Sequence, residues 1–537
     1  MFGLCKRADG YGYPVLRNPA RRRPAVRPRA RLRVVAAIGA LALVVTGCSV
    51  APKHQADVPA VAESSSSAAG SSDVEAGLKP FYEQAIEWKA CDTFECGTAE
   101  VPIDYADPAG GSIRLALKRS LATSGKPIGS LLINPGGPGA SGVDLVDGVV
   151  TTFGKDVLAS YDLVGFDPRG VARSNPVTCV DDADKDTLLS TDFDFSTDAG
   201  IEAAEAAYTS FGAACAANTG PLLAHVDTVS AAKDLDVLRA ALGDAKLSYL
   251  GYSYGTLLGA TYAGLFPTHV ARMVLDGALD PSLSPFDIGL GQAKGFENAL
   301  RAYVTDCQGG ANCPLTGSVD HGLGQIHDLT VRARQNPLET GSSRKLTGVL
   351  ASYGIAVALY NDQSWGALTV ALRKALAGDG SELLRFADIY NDRQDDGTYS
   401  ANSTEAFISI NCLDGATSSD PAQMRAEAVQ TEAAAPTLGY FFSYGGVTCA
   451  GWPYPPIGKP APITADGAPP IVVIGTTNDP ATPYVWAQGL AAQLSSGVLL
   501  TWKGEGHTAY GRSNACILNA VDSYLVGGTV PEDGKTC

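Results

Sequence analysis

An α/β fold with a mostly parallel central sheet and a large, mainly helical cap insertion is predicted for this chain of 537 residues. Three observations predict it. Short apolar runs that read as strands alternate with helix signals between Val101 and Leu279. Two more such runs, 470–475 and 497–502, restore the strand pattern near the C-terminus. Between these regions the Ala- and Leu-containing stretches 365–377 and 381–390 have helical periodicity. Such an insertion is expected over the C-terminal edge of a parallel sheet.

Residues 101–105, 113–118, 130–134 and 161–165 read in order as strands. Thr228 or Ser230 is placed to cap a helix that runs through Leu235 and Leu238 to a stop at Gly243. The run 247–250 leads into Gly251-Tyr252-Ser253-Tyr254-Gly255 and a helix signal behind it, and 271–276 is the next strand. The expected organisation is a core in two parts, 80–279 and 466–537, interrupted by a cap at 280–465.

The Gly-x-Ser-x-Gly pentapeptide gains meaning from its flanks. A strand that turns sharply into a helix strains its central residue and needs small neighbours. It also lifts the serine hydroxyl above the sheet, at the positive end of the helix. Ser253 is therefore the candidate nucleophile. Of the six histidines (His54, His225, His269, His321, His327 and His507) only His507 lies beyond a credible acid, in the order Ser, acid, His of α/β-hydrolases. It lies on a loop after the run 497–502, from which its ring can swing over the serine. Asp479 is the candidate acid. It follows the run 470–475, which suits a strand buried on both faces, and there a carboxylate can accept the imidazole N–H and fix its tautomer. Glu505 is closer to His507 in sequence, but adjacency on one tight loop orients a ring poorly; it reads as a solvated loop charge. Upstream, the strand 130–134 enters Pro135-Gly136-Gly137-Pro138-Gly139. A donor from Gly136 or Gly137, with the N–H of Tyr254, would complete an oxyanion hole.

Asn-Pro-Gly-Gly-Pro-Gly (134–139), the segment 161–174 with Gly165-Phe166-Asp167-Pro168-Arg169-Gly170, and Gly-Tyr-Ser-Tyr-Gly-Thr (251–256) occur in order. Val274-Leu275-Asp276-Gly277, Asn478-Asp479-Pro480 and Gly504-Glu505-Gly506-His507 follow. Together they resemble the secreted tripeptidyl aminopeptidase branch of the prolyl-aminopeptidase-like α/β-hydrolases, over roughly residues 80–537. The resemblance implies an α/β-hydrolase fold and a Ser-His-Asp acyl-enzyme mechanism without cofactor or metal. It also implies peptide substrates cleaved near a free N-terminus. An esterase or lipase with the same triad stays open, because relatives on this scaffold include esterases. A binding lipoprotein is a third class, one with no need of an ordered Ser, Asp and His. For the substrate ammonium, Cys412-Leu413-Asp414 resembles the family's Cys-x-Asp segment and makes Asp414 a candidate. Asp276, Tyr440, Phe441, Phe442 and Trp452 could also line the pocket.

Residues 1–33 carry ten Lys and Arg and one acidic residue, Asp9, and 34–46 form a short apolar stretch before Gly47-Cys48. That stretch is too short to span a bilayer but suits a signal-peptide core. Residues 1–47 are expected to be a signal peptide and Cys48 a lipidated N-terminus. The product would be exported and held at the outer face of the cell membrane, with 48–79 as a flexible tether. Discarding 1–47 removes ten of forty basic and one of fifty-six acidic residues, taking the net charge from −16 to −25. So acidic a domain is a poor nucleic-acid or anionic-membrane binder and would depend on its lipid for attachment. Apart from Cys5 and Cys48 there are ten cysteines, and pairing sequence neighbours would close five local loops, as suits an exported protein. No Cys-x-x-Cys or close Cys/His cluster favours zinc.

Overall fold

Ten strands form one sheet in the computed structural model, which describes residues 74–537. They are β1 (Lys89–Cys91), β2 (Phe94–Pro102), β3 (Ser112–Ser120), β4 (Ser130–Asn134), β5 (Asp162–Phe166), β6 (Leu247–Tyr252), β7 (Val270–Asp276), β8 (Ile471–Asn478), β9 (Gly497–Glu505) and β10 (Lys535–Thr536). The order across the sheet is β1-β2-β3-β5-β4-β6-β7-β8-β9-β10. Pairing is antiparallel from β1 to β5 and parallel from β5 through β4 to β10. Leu131, Leu132, Ile133, Val274, Leu275, Val472 and Val473 are wholly buried, because helices cover both faces of the parallel part. The expected signal peptide and Cys48 lie outside the described residues, as does the tether up to residue 73.

The strand expected at 101–105 instead ends at Pro102 and begins at Phe94, where the Cys91–Cys96 disulfide closes a hairpin with β1. β1 and β10 are three and two residues long, too short to carry a period-2 signal. The helix Thr228–Ala241 is capped by Asp227 rather than by Thr228 or Ser230: the Asp227 carboxylate accepts the Ser230 N–H at 2.8 Å. Gly243 does follow its end, at φ 83°.

Between β7 and β8 the chain forms helices and no named strand, from Pro285–Gly309 to Gly439–Phe442. These helices have their own core, in which Leu300, Tyr303, Ile326, Leu350, Ile355, Leu372 and Leu383 are wholly buried. A second excursion joins them. Helices Asp182–Ser190 and Asp198–Thr219, between β5 and β6, pack Ile201 and Ala204 against Met424 and Val447. Lys185 meets Glu405 in a buried ion pair, and Asp192 accepts the Gly348 and Val349 N–H groups at 2.7 and 2.8 Å. The cap is thus built from two insertions, although the sequence boundaries leave 182–225 in the core. The ten cysteines pair as sequence neighbours: Cys91–Cys96, Cys179–Cys215, Cys307–Cys313, Cys412–Cys449 and Cys516–Cys537. Among the described residues no helix is long and apolar enough to cross a membrane.

Arg169 is fully buried beneath the sheet edge. It holds both Asp234 carboxylate oxygens (Nε at 2.7 Å, Nη2 at 2.5 Å) and donates to the carbonyls of Pro102, Ile103 and His225. One guanidinium therefore ties together the end of β2, the loop before the helix Thr228–Ala241, and that helix. Arg169→Met leaves the Asp234 charge unpaired in the interior and should destabilise the protein by about 3–5 kcal/mol, measured by denaturant unfolding. A loss under 1 kcal/mol would show that the ion pair is not what holds this junction.

Candidate active site

Parallel strands deliver their C-terminal ends to one edge of the sheet, so residues far apart in sequence meet there. Ser253 follows β6 at φ 56° and ψ −125°, as N-cap of the helix Tyr254–Leu265. This conformation is strained for a residue with a side chain, and neighbours hold it. The Ser253 N–H donates to Asp276 O on β7 at 2.9 Å, and the Thr256 N–H and hydroxyl both return to Ser253 O. A Cβ on Gly251 would stand 2.3 Å from Gly255 O, so the turn closes only around a glycine there.

Asp479 follows β8 and His507 follows β9. His507 Nδ1 lies 2.9 Å from both Asp479 oxygens, with the ring and the carboxylate buried. Asp479 also accepts the Ala481 and Thr482 N–H groups at 2.9 Å and the Thr508 N–H at 3.1 Å. Five hydrogen-bonding contacts leave its carboxylate little freedom to rotate. Thr482 Oγ1 stands 3.3 Å from the same Nδ1. The cap supports the ring as well: Tyr360 packs edge-on against it, centroids 5.3 Å apart, and its carbonyl accepts the His507 N–H at 2.9 Å.

Ser253 and His507 line one and the same cavity of ≈580 Å³, a figure that includes its opening to solvent. Its walls are Phe296, Phe407, Phe441, Phe442, Tyr360, Tyr390, Ala356, Ala481, Gln292, Pro135 and Gly137. No carboxylate or basic side chain is among them. Of the cap residues among them, only Phe441 and Phe442 were named from the sequence; the others come from four different helices or their ends and share no local pattern. Tyr440 instead donates its hydroxyl to Phe193 O, and Trp452 packs on Gly212.

The Pro135–Pro138 loop backs against the serine turn. Gly136 has φ 89°, and a Cβ there would come 2.4 Å from Tyr252 O and 2.9 Å from both Ser253 Cβ and Tyr254 N. Its N–H donates to Asn134 Oδ1 at 2.9 Å, so Gly136 serves close approach. Gly137 lines the cavity, and Tyr254 stands at the first position of its helix, where its N–H has no intrahelical partner.

Asp414, expected to meet a substrate amine, is turned elsewhere. Its carboxylate accepts the Thr228 N–H at 2.8 Å and the Thr228 hydroxyl, which also contacts the Tyr254 hydroxyl. Desolvation pushes its carboxyl up to about 7 against those hydrogen bonds. It joins the cap helix Ser403–Asp414 to the floor under Tyr254 and does not line the cavity. Asp276 is also no pocket residue: it is wholly buried and accepts the N–H groups of Ala509 and Tyr510. Glu505 is half-buried and takes the Asn478 amide at 2.6 Å, where a solvated charge was expected. Among the described residues no group of three or more His, Cys, Asp or Glu side chains could hold a metal ion.

The fold and this strand-end site define a serine hydrolase of the α/β-hydrolase class. Residues 435–537 match the family model described as TAP-like protein. Serine protease Hip1 of Mycobacterium tuberculosis is 40% identical, over 94% of this chain and 97% of that protein. Carboxylesterase B of the same species is 40% identical over 85% and 91%. Tripeptidyl aminopeptidase of Streptomyces lividans is 30% identical over 84% and 85%. The chain belongs to this tripeptidyl-aminopeptidase-like family and is a serine peptidase.

Gly136→Ala should cut kcat by about two orders of magnitude, because its methyl group must displace the backbone on both sides of Ser253. Gly366→Ala, in a cap helix with no atom within 4 Å of the new methyl, should change nothing. Steady-state kinetics on the two folded variants checks the contrast.

Proposed function

We propose that this protein is an exported aminopeptidase that releases short peptides, tripeptides among them, from free N-termini through an acyl-enzyme on Ser253. The observation that carries the reading is the buried Asp479–His507 pair opening onto the same cavity as Ser253. With its Nδ1 proton held by Asp479, His507 keeps the lone pair on Nε2 for the Ser253 proton. Ser253 Oγ attacks the scissile carbonyl, and the tetrahedral oxyanion takes the N–H groups of Gly137 and Tyr254. His507 then gives its proton to the leaving amine. Water repeats the sequence on the ester and frees Ser253.

The preference for a free N-terminus is supported by the relatives named tripeptidyl aminopeptidase. Three extended residues span roughly 10 Å, so a tripeptide's ammonium would lie beyond the uncharged walls beside Ser253. Those walls equally favour a second reading, an esterase for apolar acyl groups, as in the relative named carboxylesterase B. Export and a lipid anchor are supported by the basic and apolar segments before Cys48.

Ser253→Ala should abolish both fluorophosphonate labelling and turnover. His507→Ala and Asp479→Asn should each lower kcat by about 10³–10⁶-fold, His507 more than Asp479. Labelling that survives Ser253→Ala would overturn the nucleophile. On wild-type enzyme, a tripeptide anilide should exceed its N-acetylated twin by about two decades in kcat/KM; equal rates would favour the esterase reading.

The mature protein should begin at a diacylglyceryl-modified Cys48 and partition into detergent. Intact-mass analysis that finds an unmodified N-terminus elsewhere in 35–60 would contradict the anchor.

A further inference from the structure

Asp276, the last residue of β7, is wholly buried, and its carbonyl and carboxylate face the two loops that carry Ser253 and His507. Its carbonyl accepts the Ser253 N–H at 2.9 Å. Its carboxylate accepts the Ala509 N–H at 3.0 Å through each oxygen and the Tyr510 N–H at 2.7 Å, two and three residues past His507. The next residue, Gly277, donates its N–H to Ile474 O on β8 and has φ 68°. A Cβ on it would stand 3.2 Å from His507 Cε1 and 2.9 Å from Thr508 Cγ2. One residue thus grips the serine turn by its backbone and the histidine loop by its side chain, while its neighbour gives the imidazole room.

We propose that Asp276 is a positioning residue, which sets the distance between Ser253 and His507. This rests on the Ser253–His507–Asp479 reading and extends it. Asp479 fixes the ring's rotation through Nδ1; Asp276 fixes where the loop that carries the ring sits relative to the nucleophile. Three N–H contacts onto one carboxylate explain why an acid is kept in a place no solvent reaches, where an unpaired carboxylate would be costly. The charged and titratable groups that face it are His507, Asp479 and Arg512 from the C-terminal loops and Tyr252 from β6. Burial pushes the Asp276 carboxyl up to about 7, against the pull of the Tyr510 and Ala509 N–H groups and of His507.

Asp276→Asn keeps the size but loses the charge, and turns an NH₂ toward backbone donors. Its kcat should fall about 10²-fold with KM unchanged, as expected for a base held slightly out of place. A purely structural residue would lower thermal stability and leave the kcat of the folded variant unchanged. Asp276→Glu retains the acid but displaces the 509–510 backbone by a methylene. It should also lose kcat with KM unchanged, and it decides the matter should the Asn variant not fold. Wild-type kcat in either folded variant overturns the proposal. Fluorophosphonate labelling of Ser253→Ala, run in parallel, separates the two levels. Label on Ser253→Ala defeats the underlying nucleophile assignment, whereas label lost there with Asp276 variants unaffected defeats this inference alone.

Discussion

Ser253 is held at φ 56° where β6 ends, and the backbone hydrogen bond from its N–H to Asp276 O on β7 ties that strained turn to the neighbouring strand. The strain is tolerable because the central strands are buried on both faces and paired on both sides, so the turn cannot relax without breaking the sheet. From that fixed point the rest of the site is laid out by strand spacing. β7, β8 and β9 are consecutive parallel neighbours, and Asp276, Asp479 and His507 come off their ends side by side.

The cap supplies what the sheet cannot. Parallel strand ends offer polar loops but few large side chains, and the cavity walls come mainly from cap helices that share a separate apolar core. Tyr360 reaches from the cap to His507, and Gly139 is wedged against Ser403 and Ala406 at the start of the helix Ser403–Asp414. That helix ends in Asp414, which holds Thr228 beneath Tyr254. The cap and the strand-end loops are therefore in contact at His507, at Gly139 and at Thr228.

Much of this was legible in the sequence, for a physical reason. A buried parallel strand writes itself as a short apolar run, and the residue placed at its end follows within a few positions, so Ser253, Asp479 and His507 each carried a local signature. The cavity walls carried none. Phe296, Tyr360 and Tyr390 are ordinary helix or helix-end aromatics whose role arises from packing between segments far apart in sequence. The same holds for Asp276 and Asp414: both look like substrate acids at the sequence level, and tertiary hydrogen bonds alone assign them to backbone N–H and hydroxyl donors. The 182–225 helices were not read from the sequence, and their allegiance to the cap depends on contacts with Met424, Glu405 and Gly348.

The proposed acyl chemistry at Ser253 depends on two backbone N–H donors, those of Gly137 and Tyr254. A crystal structure of the fluorophosphonate-inhibited protein tests it most directly. The account predicts phosphorus bonded to Ser253 Oγ, with the phosphonyl oxygen about 2.7–3.1 Å from both Gly137 N and Tyr254 N. An adduct on another residue, or a phosphonyl oxygen that contacts neither N–H, would contradict it.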